Sequence, residues 1–137
     1  MSGPSDPHPQ YVHERFVAAF NGREIPRIAE LLATDATAEV LGSPFPVERG
    51  RDVIAGTSLP HVLDPGAGLV ASFALAAGQP WILLRGDEGR GPIDTAIRID
   101  HEGSRVTRIE YVVAPHQPEA LRTLGAQLGL PTLAQEL

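Results

Sequence analysis

Hydrophobic positions in the first third of the chain recur at helical spacing. Val12, Phe16, Ala19 and Phe20 stand at i, i+4, i+7 and i+8, which puts them on one face of a helix beginning near Pro9. Asn21-Gly22 ends the pattern as a helix C-cap pair does. A second helix is predicted from Pro26, a residue suited to a first turn, and buries Ile28, Leu31 and Leu32. The period then changes. Thr34-Asp35 reads as a turn into a short strand over 38–41, and the proline-rich SPFPVERG reads as a loop. A third, shorter helix is predicted over 52–62 with Val53, Ile54 and Leu59 apolar, weakened by Gly56 and Pro60.

After DPGAG the pattern becomes strand-like. Four runs, 69–76, 81–85, 93–100 and 105–114, are separated by short segments rich in glycine, proline and polar residues. Short links between successive strands require antiparallel pairing, hence a curled meander. A last helix over 118–128 carries Leu121, Leu124 and Leu128 and is stopped by Gly129 and Pro131. Helices gathered before a sheet predict an α+β domain with the helices on one face. The expected organisation is a flexible tail over 1–8, one domain over 9–130 and a C-terminal tail over 131–137.

Composition narrows the function classes. With 137 residues, 42% hydrophobic and 20% charged, the chain matches an ordinary folded domain. Seventeen acidic residues against eleven basic ones give a net charge of -6, and no run of arginine interrupts that balance. Nucleic acid is therefore not an expected partner, because phosphate binding draws on clustered positive charge. Cysteine is absent, which excludes disulfides, thiolate metal sites and a cysteine nucleophile. The apolar runs fall well short of the ~20 residues that span a bilayer, so no membrane partner is expected. MSGPSDPHPQ has neither the basic nor the apolar segment of a secretion signal, and a cytoplasmic location is expected. His8, His13, His61, His101 and His116 show no i, i+2 or i, i+4 pairing, so neither a metal site nor another cofactor is expected.

HERFVAAFNGREIPRIAELLATDATAEVLGS, residues 13–43, resembles the opening of the nuclear transport factor 2-like superfamily, including its SnoaL-like and ketosteroid isomerase-like members. Asp35-Ala36-Thr37 matches the turn that follows the family's second helix, and GRDVIAG, residues 50–56, its third helix. The resemblance implies a cone of curved antiparallel sheet, about four long strands and one short. Three N-terminal helices would enclose an apolar cavity in it, a C-terminal helix would follow, and a homodimer would form through the sheet. AGQPWILLRG and IDHEGSRVTRIEYVVAPHQPEAL are similar to the SnoaL-like domain that closes some extracytoplasmic-function sigma factors. That domain commonly ends in Asn-Pro-Asp-Lys-Leu, where this chain has Gln117-Pro118-Glu119-Ala120-Leu121.

Isomerases of that fold use a carboxylate base with a tyrosine and a protonated acid on the dienolate oxygen. By resemblance those positions fall at Val40, Phe16 and near Thr95, so at least two of the three groups are missing. The acids that remain as candidate bases are Asp94 and Glu39, with Glu110 an equivalent case. In PIDTAIRID, Asp94, Arg98 and Asp100 share one face and Thr95, Ile97 and Ile99 the other. Asp94 is therefore a solvated residue unless a bulge turns it inward. His61, after the third helix, is the histidine placed to carry a proton. Tyr111 alternates with Ile109 and Val113 and should point inward with its hydroxyl hydrogen-bonded. A set Arg85, Asp87, Glu110 loosely matches the acid–arginine–acid order of epoxide hydrolases among the relatives. However, Gly86 and EGRG place the first two in a turn.

The leading expectation is a protein that binds a small apolar molecule in a pocket, as a binding protein or as an enzyme of unassigned reaction. Its lining would be Phe16, Phe20, Val40, Trp81, Thr95, Ile97, Ile109, Tyr111 and Val113. The alternatives are a cofactor-free cyclase, isomerase or hydrolase using Asp94, Glu39 or His61 with Tyr111, and a dimeric regulatory module akin to the sigma-factor appendage.

Overall fold

The computed structural model of the protein describes residues 9–136, so the tail expected over 1–8 lies outside them. Helix α1 (Pro9–Asn21) and helix α2 (Ile25–Leu31) lead into strand β1 (Leu32–Val40). A two-residue strand β2 (Glu48–Arg49) and two short helices, α3 (Arg51–Gly56) and α4 (Ser58–Val62), follow. Four strands then run in sequence, β3 (Val70–Ala76), β4 (Gln79–Arg85), β5 (Ile93–Glu102) and β6 (Arg105–Val113), before helix α5 (Pro118–Leu128). The six strands form one curved, unclosed sheet in the order β2-β1-β6-β5-β4-β3. The class is α+β.

Pairing is antiparallel except between β1 and β6, which run parallel with Val40 opposite Tyr111. The expected all-antiparallel sheet is thus mixed, because β1 reaches the far side of the meander and pairs with the last strand. The strand expected over 38–41 begins earlier, at Leu32, and its register with β6 shifts between Leu32 and Thr37, the stretch that holds Thr34-Asp35. The helix expected over 52–62 is two, broken where Thr57 adopts φ -121° and ψ -80°.

Helical periodicity decides what α1 buries. Val12, Phe16, Ala19 and Phe20 pack on one face of the sheet, here called inner, against Ile82, Leu84, Ile97 and Ile109. A side chain the size of phenylalanine contributes about 1.5–3 kcal/mol by leaving water. Phe20, Ile54, Leu59, Ile82, Leu84, Ile97 and Ile109 all have 0% exposure, so no water-sized void opens onto them. In place of an open apolar cavity the interior is packed. The inner face reaches solvent near Val40 and Val113, which are half-buried.

The other face carries α5. Leu121 and Leu124 cover Leu83, Ile93, Ala96, Val112 and Ala114. The helices therefore lie on both faces, not on one. Gly129, at φ 69°, ends α5 in the left-handed conformation that glycine adopts freely. The segment expected as a C-terminal tail is built into this second core instead. Ile93 N–H donates to the Pro131 carbonyl at 2.9 Å, Thr132 bridges to Ile93, and Ala134 is fully buried.

The far edge of the sheet is tied to α1 by a side chain acting as a strand. Asn21 Nδ2 donates to the Ala71 carbonyl at 2.9 Å, and Ala71 N–H donates to Asn21 Oδ1 at 2.8 Å. The edge strand β3 thereby has main-chain groups satisfied that would otherwise be open to another chain.

Candidate functional site

The inner face ends in a polar contact between the sheet and its helical cover. Tyr111 on β6 is 2% exposed, and its hydroxyl lies 3.2 Å from Ser58 Oγ at the start of α4. Ser58 N–H in turn donates to Glu48 Oε1 at 3.3 Å, so β2, α4 and β6 meet in one hydrogen-bonded chain. Burial pushes the Tyr111 phenol up to about 12, the Ser58 bond lowers it somewhat, and the Glu48 charge raises it. At neutral pH it is a protonated donor on an otherwise apolar wall.

Thr95 is 5% exposed and pairs with Val113, two residues along β6 from Tyr111. Diagonal neighbours of this kind lie about 7–8 Å apart. Pairing between β4 and β5 jumps from Leu84 with Thr95 to Arg85 with Ile93, which leaves Asp94 as an extra residue. This bulge switches Ile93 to the α5 side while Thr95 and Ile97 keep to the inner face. Asp94 is half-buried there and accepts a hydrogen bond from Thr95 Oγ1 at 2.8 Å.

Phe16, Phe20, Val40, Ile97, Ile109 and Val113 surround the same inner face as Tyr111. Trp81 does not. It packs with α5 on the opposite face, where the Arg98 guanidinium stands 5.6 Å from its ring centroid. The sequence separates Trp81 and Leu83 from Ile82 and Leu84, but both pairs are apolar, and the fold turns the first pair outward. Glu39 is also on the outer face, beside Glu110 in the register of β1 and β6. Arg108 reaches both acids, at 3.8 Å from Glu39 and 2.7 Å from Glu110, and Arg98 holds Glu110 at 2.7 Å. These acids are structural counter-ions, removed from Tyr111 by the thickness of the sheet. His61 is exposed on α4.

Arg85 is the last residue of β4, and Asp87 lies in the connection that follows it. Arg85 donates to the carbonyls of Gly91 at 2.6 Å and Arg90 at 3.1 Å, closing the connection from β4 to β5, while Asp87 is exposed at φ 50°. Ser58 and Glu48 were not legible as site residues. Each sits in a segment without periodicity, and only the folding of β2 and α4 over β6 brings them to Tyr111. Among the described residues no group of three histidines, cysteines or acids is placed to hold a metal. Nor is any helix long and apolar enough to cross a membrane.

No protein-family model and no curated protein matches this sequence. Solved structures do. An NTF2-like protein of unknown function from Cytophaga hutchinsonii superposes with a TM-score of 0.56 at 9% identity, covering 82% of this chain and 96% of that one. Bal32a, from a soil-derived mobile gene cassette, gives a TM-score of 0.55 at 19% identity, covering 74% and 86%. A candidate ketosteroid isomerase from Kribbella flavida gives 0.53 at 14% identity, covering 75% of each chain. At these identities the superpositions speak for the fold: the chain has the nuclear transport factor 2-like fold.

Proposed function

We propose that the protein binds a small, largely apolar molecule at the end of the inner face where Val40 and Val113 meet solvent, with the Tyr111 phenol donating to an oxygen on the ligand. One observation carries this reading. A buried hydroxyl with a raised pKa sits on an apolar wall, and its partner, Ser58, belongs to a five-residue helix that the sheet does not hold in register. Outward movement of α4 would release that hydroxyl and open space beside it, and a ligand oxygen would replace Ser58. Apolar walls with a few fixed polar groups are the usual make-up of small-molecule sites.

The test is a titration with 2-acetonaphthone, an apolar ketone, followed by calorimetry. The wild type should bind saturably, Tyr111→Phe should bind about threefold to tenfold more weakly through the lost hydrogen bond, and Val113→Trp should block the site. Equal affinity in all three proteins refutes the site.

A second reading, acid–base catalysis of the isomerase or cyclase type, is favoured by the bulge that frees Asp94 at the same end of the sheet. Asp94 would move the proton and Tyr111 would hold the oxygen on which charge develops. Loss of turnover in Asp94→Asn with ligand binding retained is the expected result, and unchanged turnover removes the assignment. Self-association through the sheet is a further part of the proposal. The part of the outer face beyond α5 carries Trp81 and the Arg98–Glu110–Arg108–Glu39 ladder, so a second copy would meet a strip of alternating charge. Sedimentation of the wild type and of Arg108→Glu distinguishes a dimer from a monomer.

A further inference from the structure

The chain contains no lysine, and its eleven basic residues are all arginine. Most of them are already engaged. Arg27, Arg90, Arg98, Arg108 and Arg122 pair with carboxylates, and Arg23 and Arg85 donate to main-chain carbonyls. Three others, Arg15 on α1, Arg51 at the start of α3 and Arg105 at the start of β6, line one cleft of about 440 Å³. Glu30, Leu31 and Ser104 complete its lining. Among the described residues none of these three arginines has a carboxylate within 4.0 Å. Arg105 donates to the main-chain carbonyl of Glu30, and Arg15 lies 5.6 Å from the centroid of the Tyr11 ring.

This concentration runs against the rest of the molecule. The protein carries a net charge of -6, yet three arginines and one glutamate line this cleft, an excess of two positive charges. Arginine presents a planar fork of donors that matches phosphate oxygens in pairs, and Ser104 adds a hydroxyl. A phosphate monoester carries roughly 1.5 to 2 negative charges at neutral pH and so balances the excess. The cleft has the size of small-molecule sites, about 300–1,000 Å³. The overall negative charge disfavours an extended polyanion.

We infer that the cleft between α1, α2, α3 and the β5–β6 hairpin is a binding site for a small phosphate monoester, held by Arg15, Arg51 and Arg105. It shares no residue with the Tyr111 site, so the two proposals fail independently. Arg15 and Arg105 are exposed and Arg51 is half-buried, so truncating them leaves the core untouched.

The test is calorimetric titration of the full chain with phenyl phosphate at fixed ionic strength. Saturable binding is expected in the wild type and in Arg90→Gln, whose paired arginine lies outside the cleft. Arg15→Gln and Arg51→Gln should each weaken binding about tenfold, the size of one lost charge-assisted contact, with circular dichroism confirming that both variants are folded. A parallel arm uses phosphatidylserine vesicles, to which no binding is expected. Three results overturn the assignment: no saturable binding of phenyl phosphate to the wild type, wild-type affinity in both cleft variants, or binding to vesicles without binding to phenyl phosphate.

Discussion

The Tyr111 phenol gives a titration that few proteins allow so cleanly. The chain has no lysine, no cysteine and two tyrosines, Tyr11 and Tyr111. In a Tyr11→Phe background Tyr111 is the single phenol. Burial pushes it up to about 12 in the folded protein, against an ordinary value of 10.0 when unfolded. A folded-state pKa above the unfolded one means that the stability it contributes is complete below pH 10 and is lost as pH rises towards 12. Within that window the unfolded chain has released the proton and the folded chain still holds it, so stability falls by about 1.4 kcal/mol per pH unit, roughly 3 kcal/mol in all. For a domain whose total stability is about 5–15 kcal/mol that fall is readily measured.

Replacing Tyr111 with Phe removes both the phenol and its hydrogen bond to Ser58. At pH 8 the variant should be less stable by about 1 kcal/mol, the usual net value of such a bond. Between pH 10 and 11.5 it should lack the parent's decline, so the two stability curves cross. Guanidinium unfolding at half-unit pH intervals gives both curves, and absorbance at 295 nm reports phenol ionisation directly. Ionisation of Tyr111 near pH 10 in the folded protein, or parallel curves for parent and variant, would show that the phenol is not buried beneath α4 and would refute the reasoning.

Other substitutions test the packing that holds the site. A Cβ at Gly125 would lie 2.4 Å from Thr132 Cγ2 and 2.7 Å from the Leu130 carbonyl oxygen, so Gly125→Ala should lower the melting temperature although alanine favours helix by about 1 kcal/mol. Glu110 is 7% exposed in its side chain and holds Arg98 and Arg108, both about half exposed; Glu110→Gln should cost about 1–2 kcal/mol in denaturant unfolding, because the two arginines recover hydration. Asn21→Ala leaves the Ala71 main-chain groups at the sheet edge unpaired and should speed hydrogen exchange in β3 before it changes exchange in β5 or β6.

The helices were legible where one face of the chain faces one core. Val12, Phe16, Ala19 and Phe20 fix α1, and Leu121, Leu124 and Gly129 fix α5 and its end, because local periodicity and capping dictate both. Alternation likewise grouped Ile97, Ile109, Tyr111 and Val113 on one wall. What alternation does not carry is which covering element each face receives. Trp81 and Ile82 are equally apolar neighbours, and the seating of α5, decided by the whole sheet, sent Trp81 outward with Arg98. Glu39 likewise stands on the outer face, beside Glu110 and Arg108. The parallel pairing of β1 with β6 joins segments some seventy residues apart, and its register shifts between Leu32 and Thr37, across the Thr34-Asp35 turn signal. Ser58, Glu48 and the Arg15–Arg51–Arg105 cleft lay beyond sequence reading altogether. The sequence by itself determined which residues must leave water and at what period; tertiary structure alone decided which side chains meet, because contacts between distant segments depend on strand order and register, and no local pattern encodes either.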